Sequence, residues 1–199
     1  MSSQLAFLPA SRGTLLLLRR RLQLVKRGKE VLQMRRDQLV KEVFAIMDEL
    51  KKLAEAERKY LEAARRVTQL RMSRGEHDFE SIASLVRPPE IDIVIVSRQG
   101  VPVPEARIVY EPDYSRVADP EYREALEKLW EAIKTMIIVA NKEMEVEKLC
   151  EQLQYINRVV NSLERNLIPS LEDTLRHIEE RVTEEEIEEF VRMKVVREG

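Results

Sequence analysis

Residues 15–71 read LLLLRRRLQLVKRGKEVLQMRRDQLVKEVFAIMDELKKLAEAERKYLEAARRVTQLR, and the spacing of their apolar residues decides the fold. Sampled at alternating steps of three and four, the stretch gives Leu15, Leu18, Leu22, Val25, Lys29, Leu32, Arg36, Leu39, Val43, Ile46, Leu50, Leu53, Glu57, Tyr60, Ala64, Val67 and Arg71. All four polar exceptions fall on one half of the alternation, and the other half, from Leu18 to Val67, is apolar at every position. That is an a/d heptad seam with an uninterrupted d layer. No proline lies between Pro9 and Pro88, so the backbone permits one helix over 12–73, roughly 93 Å at about 1.5 Å per residue. A stripe so narrow on a helix so long calls for one long partner.

Composition points the same way. Among 199 residues there are 5 Gly, 5% aromatics and 35% charged side chains, the profile of long helices rather than of a deep core. The net charge of −2 argues against a nucleic-acid binder. Its distribution is uneven: residues 12–41 carry ten Lys/Arg against two acids, whereas Glu184–Glu189 holds five glutamates. One cysteine, Cys150, leaves no internal disulfide and fits a reducing compartment. No signal peptide is evident, and no apolar run is long enough to span a bilayer, so a cytoplasmic location is expected.

Pro9-Ala10-Ser11 reads as a helix entry capped by Ser11. Arg19, Arg20, Arg21, Lys26 and Arg27 then ring the helix; they make either a solvated face or a bearing surface for an acidic or polar partner. Gly28, inside the helix, costs about 1 kcal/mol relative to Ala and marks either tolerance or close approach of another backbone. Gly75 suits the end of the first helix, and Asp78 is placed to cap a short helix from Phe79 to about Val86, before Pro88-Pro89. From Ile91 to Val96 the period becomes two, which predicts a strand; Arg98-Gln99-Gly100 reads as a turn. Pro102 and Pro104 are expected to interrupt pairing before a returning strand over Ala106–Tyr110. Asp119-Pro120 is a strong start for a second long helix, whose apolar steps run from Leu126 to Val182 with a phase jump near Glu147. Pro169 predicts a kink or local opening. Trp130 reads as seam packing.

The two long helices are expected to pair antiparallel, with Gly28 near Glu164, the basic N-terminal stretch beside the acidic C-terminal one, and part of 180–196 overhanging. The fold expected is therefore mainly α: a long antiparallel two-helix coiled coil with a short helix and a β-hairpin at the far end. Its segments are 12–73, 74–118 and 119–196. No catalytic constellation emerges. Gly28-Lys29 lacks the rest of a phosphate-binding loop, with Gln23 and Glu30 at the wrong places, and His77 and His177 have no metal-ligand partners at usable spacing.

Several blocks resemble one family in order along the chain. Pro9-Ala10-Ser11-Arg12, Lys26-Arg27-Gly28, Val31-Leu32, Arg35-Arg36-Asp37 and Leu39 resemble the N-terminal signature of the D subunit of the archaeal and vacuolar (V/A-type) rotary ATPases. Gly100-Val101-Pro102-Val103-Pro104 resembles that family's hairpin tip. Arg158-Val159-Val160-Asn161-Ser162-Leu163-Glu164 with Leu167-Ile168-Pro169, and Glu188-Glu189-Phe190 with Arg192-Met193-Lys194, resemble its C-terminal blocks. Departures are mild, such as Ser11 for Thr and Arg35 for Lys. The resemblance implies a non-catalytic central rotor shaft without cofactor or metal, on the cytoplasmic face of the membrane and not inserted in it. The partners it implies are the catalytic and non-catalytic head subunits, the small F subunit and the funnel-shaped subunit on the membrane ring, with no nucleic acid. The competing reading from the residues alone is a coiled-coil scaffold or helical-hairpin chaperone.

Overall fold

A computed structural model describes residues 9–53 and 55–198. The chain is mainly helical: α1 Arg12–Leu53, α2 Glu55–Arg74, α3 Glu76–Ala83, β1 Glu90–Arg98, β2 Val101–Tyr110, α4 Pro120–Ser162, a π-helical turn Leu163–Leu167, and α5 Ile168–Glu198. It divides into two compact units. The first joins the residues up to Gln38 with those from Leu153 onward, and the second is Leu39–Gln152.

In the first unit Ser11 starts α1 as expected, its Oγ accepting from the Thr14 N–H at 3.2 Å. The two helical stretches run antiparallel, and ion pairs record the register. Arg12 meets Glu186 at 2.8 Å, Arg19 meets Glu179 at 2.5 Å and Lys26 meets Glu172 at 2.6 Å. Each step of seven along α1 is thus a step of seven back along α5, as an a/d seam requires. Between these rows Leu18, Leu171 and Ile178 are buried, with Leu15, Leu22, Val25, Leu167, Leu175 and Val182 packed around them. The next step back from Glu172 would be Arg165, but Gln33 donates instead to Glu164 at 2.9 Å, and Lys29 approaches the same carboxylate at 3.4 Å. The π-turn accounts for the slip. It adds one residue to the helix, its Ile168 N–H reaching five residues back to the Leu163 carbonyl. Pro169 has no N–H for the Arg165 carbonyl in any case, so the opening falls where the helix has a bond to lose.

In the second unit α2 and the early part of α4 also run antiparallel, with Arg66 on Glu121 at 3.0 Å and, in α1, Glu49 on Lys142 at 3.3 Å. The expected seam holds at Leu39, Val43 and Ile46, which are buried. It fails at Tyr60, which is exposed, while Ala56 and Leu70 turn inward. The physical reason is the charge at Glu57 and Arg71. Both belong to the other half of the seam, and the row one residue earlier, Ala56, Ala63 and Leu70, is apolar and small enough to pack. Likewise Tyr122, Ala125 and Ala132 on α4 are buried. From Leu149 onward the expected apolar steps return, with Leu149, Ile156 and Val160 buried.

Gly75 links α2 to α3 with φ +93, the left-handed conformation that glycine tolerates best. Its N–H closes α2 on the Arg71 carbonyl, and its own carbonyl accepts from Phe79. The short helix therefore starts at Glu76, and Asp78 lies in its first turn instead of capping it. Asp119 caps α4 as expected, accepting from the Glu121 N–H at 2.9 Å.

The hairpin corrects one expectation. β2 begins at Val101 and pairs continuously through Pro102 and Pro104. The turn is two residues long, with Gln99 and Gly100 both at positive φ. In such a hairpin the flanking pair Arg98–Val101 exchanges both backbone bonds, and alternate residues thereafter do the same. Pro102 and Pro104 consequently face away from β1, where no donor is needed.

Candidate docking surfaces

The hairpin is held to α4 by its outer edge and by one face. Beyond the two prolines, the next outward-facing residue of β2 is Ala106, and Asn141 of α4 meets it twice. The Ala106 N–H donates to Asn141 Oδ1 at 2.8 Å, and Asn141 Nδ2 donates to the Ala106 carbonyl at 2.9 Å. An amide side chain thus stands in for a neighbouring strand. The inward face carries Val94, Val96, Val101 and Val103, the last two buried. At its margin lies the buried Glu145, near Lys142 at 3.5 Å and Arg98 at 3.9 Å. Arg98 also bridges to Glu105 at 3.1 Å, and Arg107 and Arg98 hold the Glu105 carboxyl below its ordinary pKa. For Lys142 burial acts against the charge, yet Glu145 and Glu49 raise its pKa.

Of the five cations singled out in α1, Arg19 and Lys26 are engaged with Glu179 and Glu172, whereas Arg20, Arg21 and Arg27 are exposed and make no ion pair among the described residues. Gly28 is exposed, and a Cβ there would meet nothing within 4 Å. The close helix–helix approach expected at Gly28 is therefore not made by any described part of this chain. Of the expected hairpin tip, Gly100 is in the turn and Pro102 is exposed, but Val101 and Val103 are buried and belong to the inward face. Past Glu186 the side chains of α5 are exposed through Arg197, including Ile187, Phe190, Val191 and Val195 on one helical stripe.

Sequence reading missed Asn141, because one amide in a charged helix has no motif. It also missed an apolar cleft of about 370 Å³ between α3, the start of β1 and α4, lined by Phe79, Ile82, Ile91, Leu126, Leu129 and Trp130 among others. Trp130 is buried there as packing, its Nε1 without a hydrogen-bond partner among the described residues. Phe79 stacks obliquely near Tyr122 at 6.2 Å, and Arg71 and Arg74 lie over the two rings. Among the described residues no cluster of His, Cys, Asp or Glu is disposed to hold a metal, and no helix is long and apolar enough to cross a membrane.

Comparison with known proteins places this arrangement. The family model for the D subunit of ATP synthase matches residues 14–198. The A-type ATP synthase D subunit of Methanobrevibacter smithii is 35% identical, over 94% of this chain and 85% of the relative. Those of Methanopyrus kandleri and Thermococcus kodakarensis are 34% and 33% identical, over 94% of this chain and 84% and 92% of the relatives. A match that runs through α1, the hairpin and α5 alike leaves one assignment: the chain belongs to the ATP synthase D-subunit family.

Proposed function

We propose that the chain is the central stalk, the rotor shaft, of an A-type ATP synthase. In this reading it couples ATP turnover in the catalytic head to rotation and to ion translocation in the membrane ring. The observation that carries the reading is the family match over residues 14–198. The physics is compatible: a shaft must present different faces to equivalent sites and bias their conformations, and two dissimilar antiparallel helices are asymmetric by construction. The chain itself is non-catalytic, lies on the cytoplasmic face as a peripheral component, and meets the head subunits, the small F subunit and the funnel-shaped subunit. The division of labour follows the segments 12–73 and 119–196 for the coiled coil and 74–118 for the hairpin region. Because Arg19 and Lys26 are already paired, Arg20, Arg21 and Arg27 carry the bearing surface against the head. Purification of the tagged chain from its source cells tests the reading: the head and stalk subunits should co-elute in fixed ratio with ATPase activity. Recovery of the chain alone, or with assorted unfolded clients, would favour the scaffold or chaperone alternative.

A further inference from the structure

The two edges of the hairpin are treated differently. Over residues 102–106 the outward positions of β2 are Pro102 and Pro104, which have no donor, and Ala106, which Asn141 satisfies. That stretch of the edge offers no free N–H. On β1 the outward positions near the middle of the strand are Ile93, Ile95 and Ser97, by the same alternation. Their backbone groups have no partner among the described residues, because the sheet has two strands and β1 is its open margin. No proline or lysine guards β1, and the side chains of Ile93 and Ile95 are 76% and 78% exposed. The outward face they share with Pro102, Pro104, Ala106 and Ile108 carries no charge. Proteins commonly blunt such an edge, so leaving one of two open makes it a template for pairing. Two strands are also fewer than a sheet ordinarily needs for stability.

We propose that the open edge of β1, with the apolar cleft at its start, is a docking site for an extended apolar segment of a neighbouring subunit, which adds as a third strand. Ile91 joins the two parts of the site, since it is the second residue of β1 and lines the cleft with Phe79, Leu126 and Trp130. A strand following the edge past Glu90 thereby carries a large apolar side chain into the cleft. A second copy of this chain is a poor occupant. Paired antiparallel about Val94 it brings its polar turn, Gln99-Gly100, to the apolar cleft. Its nine-residue edge, about 30 Å long and about 10 Å deep, also offers far less than the roughly 800 Å² per partner of a stable interface. A subunit already held elsewhere on the chain needs no such area.

The proposal rests on the chain working inside a multisubunit complex. Co-elution reads that premise, and amide exchange at β1 reads this inference, so the two fail separately. In the reconstituted complex the amides of Ile93, Ile95 and Ser97 should exchange at least about tenfold more slowly than in the isolated chain, at residue resolution. The intervening amides of Val94 and Val96, already in the β1–β2 ladder, should change little. Ile93→Pro, which removes an outward donor as Pro102 and Pro104 do on β2, should abolish the slowing, whereas Ile93→Ala should retain most of it. Val94 and Val96 report whether the hairpin survives the proline, and Ser97→Pro is the second variant if it does not. Three results would overturn the proposal. They are unchanged exchange on assembly, loss with alanine equal to that with proline, and slow exchange in the isolated chain that grows with its concentration.

Discussion

Replacing Asn141 by alanine is the sharpest probe of how the hairpin is held. The substitution deletes two hydrogen bonds, of 2.8 and 2.9 Å, and leaves the Ala106 N–H and carbonyl without partners at a half-buried position. Each such bond is worth about 0.5–1.5 kcal/mol net, so the loss amounts to roughly 1–3 kcal/mol. Because an unmade bond at a half-buried site is partly replaced by water, a value near 2 kcal/mol is expected. Read locally, that is about a thirtyfold acceleration of Ala106 amide exchange, at about 1.4 kcal/mol per factor of ten, if the amide exchanges through opening of this contact. Asn141→Asp separates the two bonds: the carboxylate still accepts from the N–H but repels the carbonyl, so it should be no better than alanine. Urea unfolding should show a lower midpoint at unchanged slope. An Asn141→Ala variant whose stability changes by less than about 0.3 kcal/mol, with the Ala106 amide as slow as before, would refute this reasoning.

Other outcomes follow from single sites. Gly28→Ala should stabilise the isolated chain by about 1 kcal/mol in thermal or urea unfolding, since the new methyl meets open space and the helix gains propensity; destabilisation would mean that another backbone does approach it. Replacing Arg20, Arg21 and Arg27 with glutamine should leave the isolated fold intact but weaken binding to the head at low salt, with the deficit shrinking as salt rises, whereas unaltered assembly would make them a solvated face. The carboxyls of Glu186, bonded to Arg12, and of Glu105, bonded to Arg107, titrate below their ordinary value. A depressed folded pKa gives a contribution fully present above the unfolded value, about 4.3, and lost as pH falls through the folded one. Circular dichroism should therefore show stability falling below about pH 4, and Glu186→Gln should flatten that acid slope.

The residues differ in how far their own pattern settles their place. The heptads of α1 called for a long helical partner because apolar spacing of seven records a contact along one stripe, and Leu18 and Leu39 are buried as that spacing requires; the antiparallel direction came from the short connection between the helices. Asp119-Pro120 and Ser11 were legible because helix ends need specific acceptors. Tyr60 was misplaced because the periodicity ignores which neighbouring row is free of charge. Pro102 and Pro104 were misread since only the turn length fixes which way a strand residue faces, and the turn length follows from Gln99 and Gly100 together adopting positive φ. The one-residue slip at Glu164 depends on the π-turn, and Pro169 marked its place though not its form. Asn141 and the cleft beside Trp130 arise from segments far apart in sequence, whose meeting no local pattern records.

Single-molecule rotation shows most directly whether this chain turns within its complex. With Cys150→Ser as background, Ser115→Cys at an exposed position outside the helices offers one attachment point for a bead. The assembled head is fixed to a surface by its catalytic subunits and supplied with ATP. Stepwise rotation of the bead in one direction, stopping when ATP is withdrawn, is the predicted result. A head that hydrolyses ATP at its normal rate while the bead stays still would mean that the chain is not the rotor.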